Sequence, residues 1–230
     1  MRVSTVKIET PIELSPDSPI VITYENPCEF YNTVSDFINA FNGEKSQFSF
    51  WEEVESQDPA KCGEMLCDLF SFEFADKKIV NLLYKTLQKN YLDGEFLVQF
   101  SAINTEIAMF LEKLCATVDF SLDYDELSLE NLLKSCAVKP SKTYDSLIEK
   151  IICYINIFVS LKNISFFVFV GLKSVLTDEE LLSLYKHCEL QQVSLLLIES
   201  SKKPKLPCER TIIITDDLCE WTEGFTEDFD

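Results

Sequence analysis

Asp119, Asp123, Asp125, Glu126 and Glu130 fall within a dozen residues, interleaved with Ser121 and Ser128 and followed by Asn131. Hard oxygen donors at this density suit calcium, which takes about 6–8 oxygen ligands. The segment has no glycine, so it is not the loop of an EF-hand. Ser128 is placed to cap a helix starting at Leu129. The acids then lie in the preceding loop and the first helical turn, where the dipole alone favours negative charge. Calcium binding and a solvated, helix-capping loop are both compatible with this spacing. A second group is basic. Lys134, Lys139 and Lys142 stand in a stretch, 131–144, that holds no acid, and Lys150 follows. Lys202-Lys203-Pro204-Lys205 forms another cluster, in a loop after an expected strand. Such clusters are either solvated surface or contacts to phosphate that hold a duplex without reading its sequence.

Other chemistries lack their residues. A P-loop needs glycines so that backbone amides wrap the phosphate, and a lysine to meet its charge. The five glycines stand at 43, 63, 94, 171 and 224; none precedes a lysine and no two form GxG. An expected strand at 20–24 runs instead into Glu25-Asn26-Pro27-Cys28, which offers a carboxylate where phosphate would sit. ATP hydrolysis through that loop is excluded. The single histidine, His187, lies late in an expected helix, and Cys188 beside it cannot face it there. The nine cysteines are an odd number with no CxxC pair, which argues against zinc and against a disulfide framework. Cys115, Cys136 and Cys153 fall on apolar helix faces, as free thiols acting as small hydrophobes. The opening stretch has no apolar leader core, and a reducing cytoplasm is expected. Ile151–Leu172 is apolar but carries Asn156, Lys162 and Asn163, and reads as a helix followed by a buried strand rather than a membrane span.

These residues need elements to hold them. Strands are expected at Val3–Glu9 and Ile20–Tyr24, then a helix from Asn26-Pro27 to Phe41. Phe70, Phe72 and Phe74 alternate with polar residues, as in a short half-buried strand. Helices are expected over Asp76–Asn90, Gly94–Val118, Leu129–Cys136 and Tyr144–Leu161. Apolar residues at 96, 100, 103, 107, 110 and 114, and at 147, 151, 154, 158 and 161, form heptad-like seams. The two longest helices could mate along these seams as an elongated projection, or join a compact bundle. Later, Phe166–Val170, Val193–Ile198 and Thr211–Thr215 read as buried strands, with Thr177 and Glu180 as a capping box between the first two. Strand, helix, strand is a βαβ unit. The fold class is therefore α/β, a discontinuous head from 1–60 and 163–230 with an inserted α-helical domain, 61–162.

The net charge of the 230 residues is −19, which by itself opposes nucleic acid. It is uneven: residues 1–60 carry 11 acids and 3 bases, 115–130 carry five acids and no base, and the tail from 216 carries seven acids. Only 131–215 is positive, with 11 bases and 8 acids.

The stretches PIELSPDSPIVITYENPCEFYNTV (11–34), LDYDELSLENLLKSCAVKP (122–140) and FFVFVGLKSVLTDEELLSLYKHCELQQVSLLLIE (166–199) resemble the adaptation protein family peculiar to type II-A CRISPR loci, the Csn-two family. That resemblance implies a head like a P-loop ATPase that has lost the loop, an elongated helical leg, and a homotetrameric ring. It also implies double-stranded DNA threaded from its ends, calcium near the head–leg junction, and no enzymatic activity. Spacer acquisition alongside the integrase and effector nuclease of the locus is the implied role. The family's calcium ligands begin at positions matched by Asp123 and Asp125, with Glu126 beside them; a further carboxylate meets Asn131, with Glu130 one place off. Lys134 and Lys139 match basic positions, whereas Lys142 belongs to this sequence alone. The expectation is a calcium-stabilised, ring-forming binder of duplex ends, contacting DNA through Lys134, Lys139 and Lys142. Its rivals are a metal-dependent nuclease using the 123–130 acids and a protein-only scaffold.

Overall fold

The computed structural model describes residues 1–73, 77–91, 95–141 and 144–223. Their packing divides into two units, Met1–Phe72 with Tyr144–Asp230, and Glu73–Thr143. Sequence put the divisions at 60/61 and 162/163. They shift because the helix expected over Tyr144–Leu161, and a strand at Gly63–Leu66 that was not expected, belong to the first unit.

In that unit, β1 (Arg2–Thr5) and β2 (Ile8–Glu13) form an antiparallel hairpin where one strand was expected. β3 (Ile20–Tyr24) is buried at every residue, and α1 (Pro27–Phe41) follows directly. β4 (Ser49–Glu52) and β5 (Glu55–Gln57) complete a small sheet of order β2-β1-β4-β5. After the single turn α2 (Pro59–Cys62), β6 (Gly63–Leu66) becomes the edge of the large sheet. In the second unit lie α3 (Lys77–Tyr91), α4 (Glu95–Cys115) and α5 (Leu129–Ser135). The chain then returns to the first unit through α6 (Leu147–Lys162) and β7 (Phe166–Val170). A 3₁₀ turn at Leu172–Ser174 leads to α7 (Asp178–Leu190), opened by the Thr177/Glu180 capping box. β8 (Ser194–Glu199), β9 (Arg210–Ile214) and β10 (Glu220–Glu223) finish the large sheet, of order β10-β9-β3-β8-β7-β6. It is parallel except for β10.

Both faces of this sheet are covered, which explains its unbroken apolar strands. Ile20, Ile22, Phe166, Val168, Leu196 and Ile198 join a core with α1 and the small sheet. Phe166 lies at its centre, stacked on Phe50 with ring centroids 5.8 Å apart. The opposite face carries Phe167, against which Tyr154 and Phe158 of α6 pack edge-on. The 151/154/158 seam is thus buried on the sheet, and Lys162 at its end pairs with Glu64 of β6 at 3.0 Å.

Two further expectations change. Leu69–Ser71 is a turn and Phe72 follows it in irregular chain, with no strand, because Asp68 accepts from the amides of Phe70 and Ser71; Phe74 lies outside the described residues. Cys136 is exposed and Cys115 and Cys153 half-buried; Cys188 is the enclosed thiol, its pKa pushed up to about 12 by burial.

The link between β8 and β9 contains no helix, although these strands run parallel on either side of β3 and the chain must cross the sheet between them. A buried polar network fills that space. Lys173 Nζ donates to Glu209 Oε1 (2.7 Å) and Oε2 (2.6 Å) and to Pro204 O (2.8 Å). Glu209 also accepts from Tyr185 Oη (2.7 Å) and Leu206 N (2.8 Å). Burial first, then the Glu209 charge, pushes the Tyr185 hydroxyl up, so it remains a donor. Removing one partner of such a pair leaves a buried charge uncompensated and costs roughly 3–5 kcal/mol.

Two predictions follow from this packing. A Cβ at Gly63 would lie 2.2–2.6 Å from the Phe166 ring, so Gly63→Ala forces the central phenylalanine to move. Denaturant unfolding should show a loss of about 1–3 kcal/mol; an unchanged midpoint would contradict the packing. Glu199 ends β8 fully buried; its Oε1 accepts from Lys173 N at 2.8 Å, while Oε2 has no partner among the described residues. Burial raises its carboxyl pKa. The folded state therefore holds this proton more tightly than the unfolded chain, and stability falls as pH rises from the ordinary glutamate range through the raised value. Glu199→Gln removes that dependence, so the difference in melting temperature should shift in favour of the variant between about pH 4 and pH 8. A difference constant with pH would refute it.

Candidate functional site

The acidic segment begins beyond α4 and runs to Ser128 without helix or strand. Ser128 Oγ accepts from Asn131 N at 3.1 Å and opens α5, as its position in the sequence indicated. Asp119, Asp123 and Asp125 are exposed. Glu126 is tied to α4: Asn104 Nδ2 donates to its Oε1 at 3.3 Å and to the carbonyl of Leu127 at 3.1 Å. Glu130 accepts from Lys134 Nζ at 2.5 Å and from Gln88 Nε2 of α3 at 3.4 Å. These two contacts, the lysine first, hold the Glu130 carboxyl below its ordinary range.

The four carboxylates named as calcium ligands are therefore not gathered. Among the described residues, no three His, Cys, Asp or Glu side chains converge to hold an ion. The nearest oxygen-lined recess, of about 470 Å³, has Asn104, Glu126, Leu127 and Ser128 on its wall. Asn104 Oδ1 is buried there with no partner among the described residues. With a single carboxylate on its wall, this recess as it stands does not gather the roughly 6–8 oxygen ligands that calcium takes. Nor does it make the convergent acidic cleft that metal-dependent cleavage requires.

Of the lysines named for DNA, Lys134 stands in the last turn of α5, half-engaged by Glu130 one turn earlier, and Lys139 is exposed in the stretch that follows. Lys142 lies outside the described residues. Lys150 is spent elsewhere, 4.0 Å from the centroid of the Phe72 ring. Tyr84 Oη of α3 donates to Leu133 O at 3.2 Å and fixes α5 against α3.

α4 differs from α6. Only Phe100 of its seam is buried; Phe96, Ile103, Phe110 and Leu114 are exposed, as are Val98 and Met109 beside them. An apolar cavity of about 380 Å³ opens between α3, α4 and α5, lined by Leu87, Tyr91, Phe96, Phe100 and Leu133.

At the turn from β3 into α1, where a phosphate loop would lie, Asn26 Oδ1 accepts from the amides of Cys28 (2.9 Å) and Glu29 (3.2 Å). The Glu29 carboxylate is held by Lys7 at 2.7 Å. The donors that would cradle phosphate are occupied. His187 Nε2 lies 2.9 Å from Asn156 Oδ1 and joins α7 to α6. Among the described residues, no helix is long and apolar enough to cross a membrane.

The family model for the CRISPR-associated protein Csn2 matches residues 40–218. The chain belongs to the Csn2 family. It is 24% identical over 166 residues to a CRISPR-associated protein Csn2 of Streptococcus agalactiae, covering 66% of this chain and 71% of that one. A Csn2 protein of Enterococcus faecalis is 20% identical over 210 residues, covering 86% and 90% of the two chains. Within the Csn2 frame, sequence reasoning had missed Asn104 and the Lys173–Glu209 pair. A lysine just after a buried strand and Gly171, and a glutamate just before another strand, were the available signals.

If Asn104 is the tie between the acidic segment and α4, Asn104→Ala should speed amide exchange over 119–128 while leaving exchange in β3, β7 and β8 unchanged. Protection that stays the same in the acidic segment would show that something else holds it.

Proposed function

We infer that this Csn2 chain acts in CRISPR adaptation as a non-catalytic ring of four copies that takes up duplex DNA from its ends. The first unit is read as a P-loop-ATPase-like head without its phosphate loop, and the second as the leg. The carrying observation is the exposed apolar seam of α4: Phe96, Phe110 and Leu114 in one helix are more than a single chain leaves in water without a partner. A second copy of the same helix offers a self-complementary cover, as symmetric assemblies use. Assembly also answers the charge objection. With 131–215 turned inward from every subunit, Lys134, Lys139 and Lys142 would meet phosphate while the acidic remainder stays in solvent. The occupied amides at Asn26 support a head that does not hydrolyse nucleotide.

Calcium enters this proposal through the oxygen-rich 119–130 segment, which would have to rearrange to bind it. The integrase and effector nuclease of the locus are the partners proposed for the ring.

Native mass spectrometry with and without calcium, beside retention of linear and closed-circular duplex, tests the reading. A tetramer retaining only the linear form supports it. Cleavage would favour a nuclease, and no duplex binding at low salt a protein-only scaffold. Lys134→Glu with Lys139→Glu and Lys142→Glu should reduce duplex affinity at least tenfold without lowering the melting temperature. Unchanged affinity would place the DNA surface elsewhere.

A further inference from the structure

The helix α3 carries lysines at 77, 78, 85 and 89 and no acid, in a chain of net charge −19. Its apolar side is spent within the chain: Ile79 and Tyr84 are buried, and Leu87 and Tyr91 line the cavity shared with α4 and α5. Lys77, Asn81, Lys85 and Lys89 follow one another at intervals of one helical turn, and all four are exposed. At about 1.5 Å per residue this row is about 18 Å long. Among the described residues, none of its three lysines forms an ion pair or a hydrogen bond. A solvated helix face gains from opposite charges one turn apart, whereas Lys85 and Lys89 repel at that spacing. Lys77 lies in the first turn, where the helix dipole disfavours a cation. The helix thus forgoes local stabilisation and keeps a single sign of charge along the row. The positive surface continues onto α5. Gln88, next to Lys89 in the chain, and Lys134 both donate to the Glu130 carboxylate, at 3.4 and 2.5 Å, so Lys134 stands beside the C-terminal half of α3.

We propose that the exposed row of α3, Lys77, Asn81, Lys85 and Lys89, is a phosphate-contacting surface for duplex DNA that extends the one at Lys134. The inference rests on the duplex-binding reading above. Charge complementarity selects a polyanion. The row has no aromatic side chain on which an unpaired base could stack, which favours the outside of a duplex over a single strand. Lysine meets phosphate as a point charge, so these contacts position the duplex and carry no sequence information.

The test uses the full chain and a blunt duplex, with affinity measured from roughly 50 to 200 mM salt. Lys77→Gln with Lys85→Gln and Lys89→Gln removes three charges that hold nothing in the fold, and glutamine suits a helix about as well as lysine. The log–log salt dependence should become shallower by about 0.9 per lost contact, about 2–3 in all, with affinity at the lower salt falling about tenfold or more. A matched variant, Lys45→Gln with Lys61→Gln and Lys186→Gln, changes net charge equally at exposed lysines of the first unit and should keep the original slope. Equal losses in both variants would reduce the effect to net charge and overturn the proposal. Asn81→Glu supplies the row with the opposite charge it lacks, one turn from both Lys77 and Lys85. The melting temperature should hold or rise while duplex affinity falls roughly fivefold or more. Unchanged affinity in both row variants would refute the contact, and is the result expected of a face kept for an acidic protein. If the unaltered chain binds no duplex at all, the duplex reading itself falls.

Discussion

The large sheet depends on the carboxylate of Glu209 being fully met. β8 and β9 flank β3 in parallel, so the chain between them must recross the sheet, yet it does so without the helix that normally covers such a crossing. Irregular backbone over a buried face carries polar groups that need partners. Lys173 supplies three hydrogen bonds from one ammonium group, and Tyr185 and Leu206 complete the carboxylate. Burying the two ions costs several kcal/mol each, and only such complete pairing offsets it. β9 then lies beside β3, and β3 in turn delivers the capped start of α1.

Two helices with the same apolar spacing meet different fates. In α6 the seam finds Phe167 and disappears into the first unit, whereas most of the α4 seam stays in solvent within one chain. Period and composition are alike in both. The difference lies in what the chain brings opposite each helix.

Much of the fold was legible in the residues. β3, β7, β8 and β9 are unbroken apolar runs because both faces of their sheet are covered, and α7 announces itself by Thr177 and Glu180. β4 and β5 were not legible. They are short and mostly exposed; β4 exists through pairing with β1, more than forty residues earlier, and β5 through pairing with β4. Phe70 and Phe72 imitate a strand by alternation, but Asp68, just before them, takes the amides of Phe70 and Ser71 that a ladder would need. At the candidate site, the acids and lysines could be found by position, while their partners could not. Glu126 with Asn104, and Glu130 with Gln88, join residues 22 and 42 apart.

By itself, the sequence determined that no phosphate loop exists, that the strands β3, β7, β8 and β9 are buried on both sides, and that 131–215 carries more bases than acids in an otherwise acidic chain. These are matters of residue type, local spacing and solvation, which need no knowledge of neighbours in space. Tertiary structure alone decided that α6 belongs with the sheet, that the four acidic candidates stand apart, and that Lys173 reaches Glu209 across 36 residues. Contacts at such separations follow from where the chain returns after each strand, and no periodicity along the chain encodes that return.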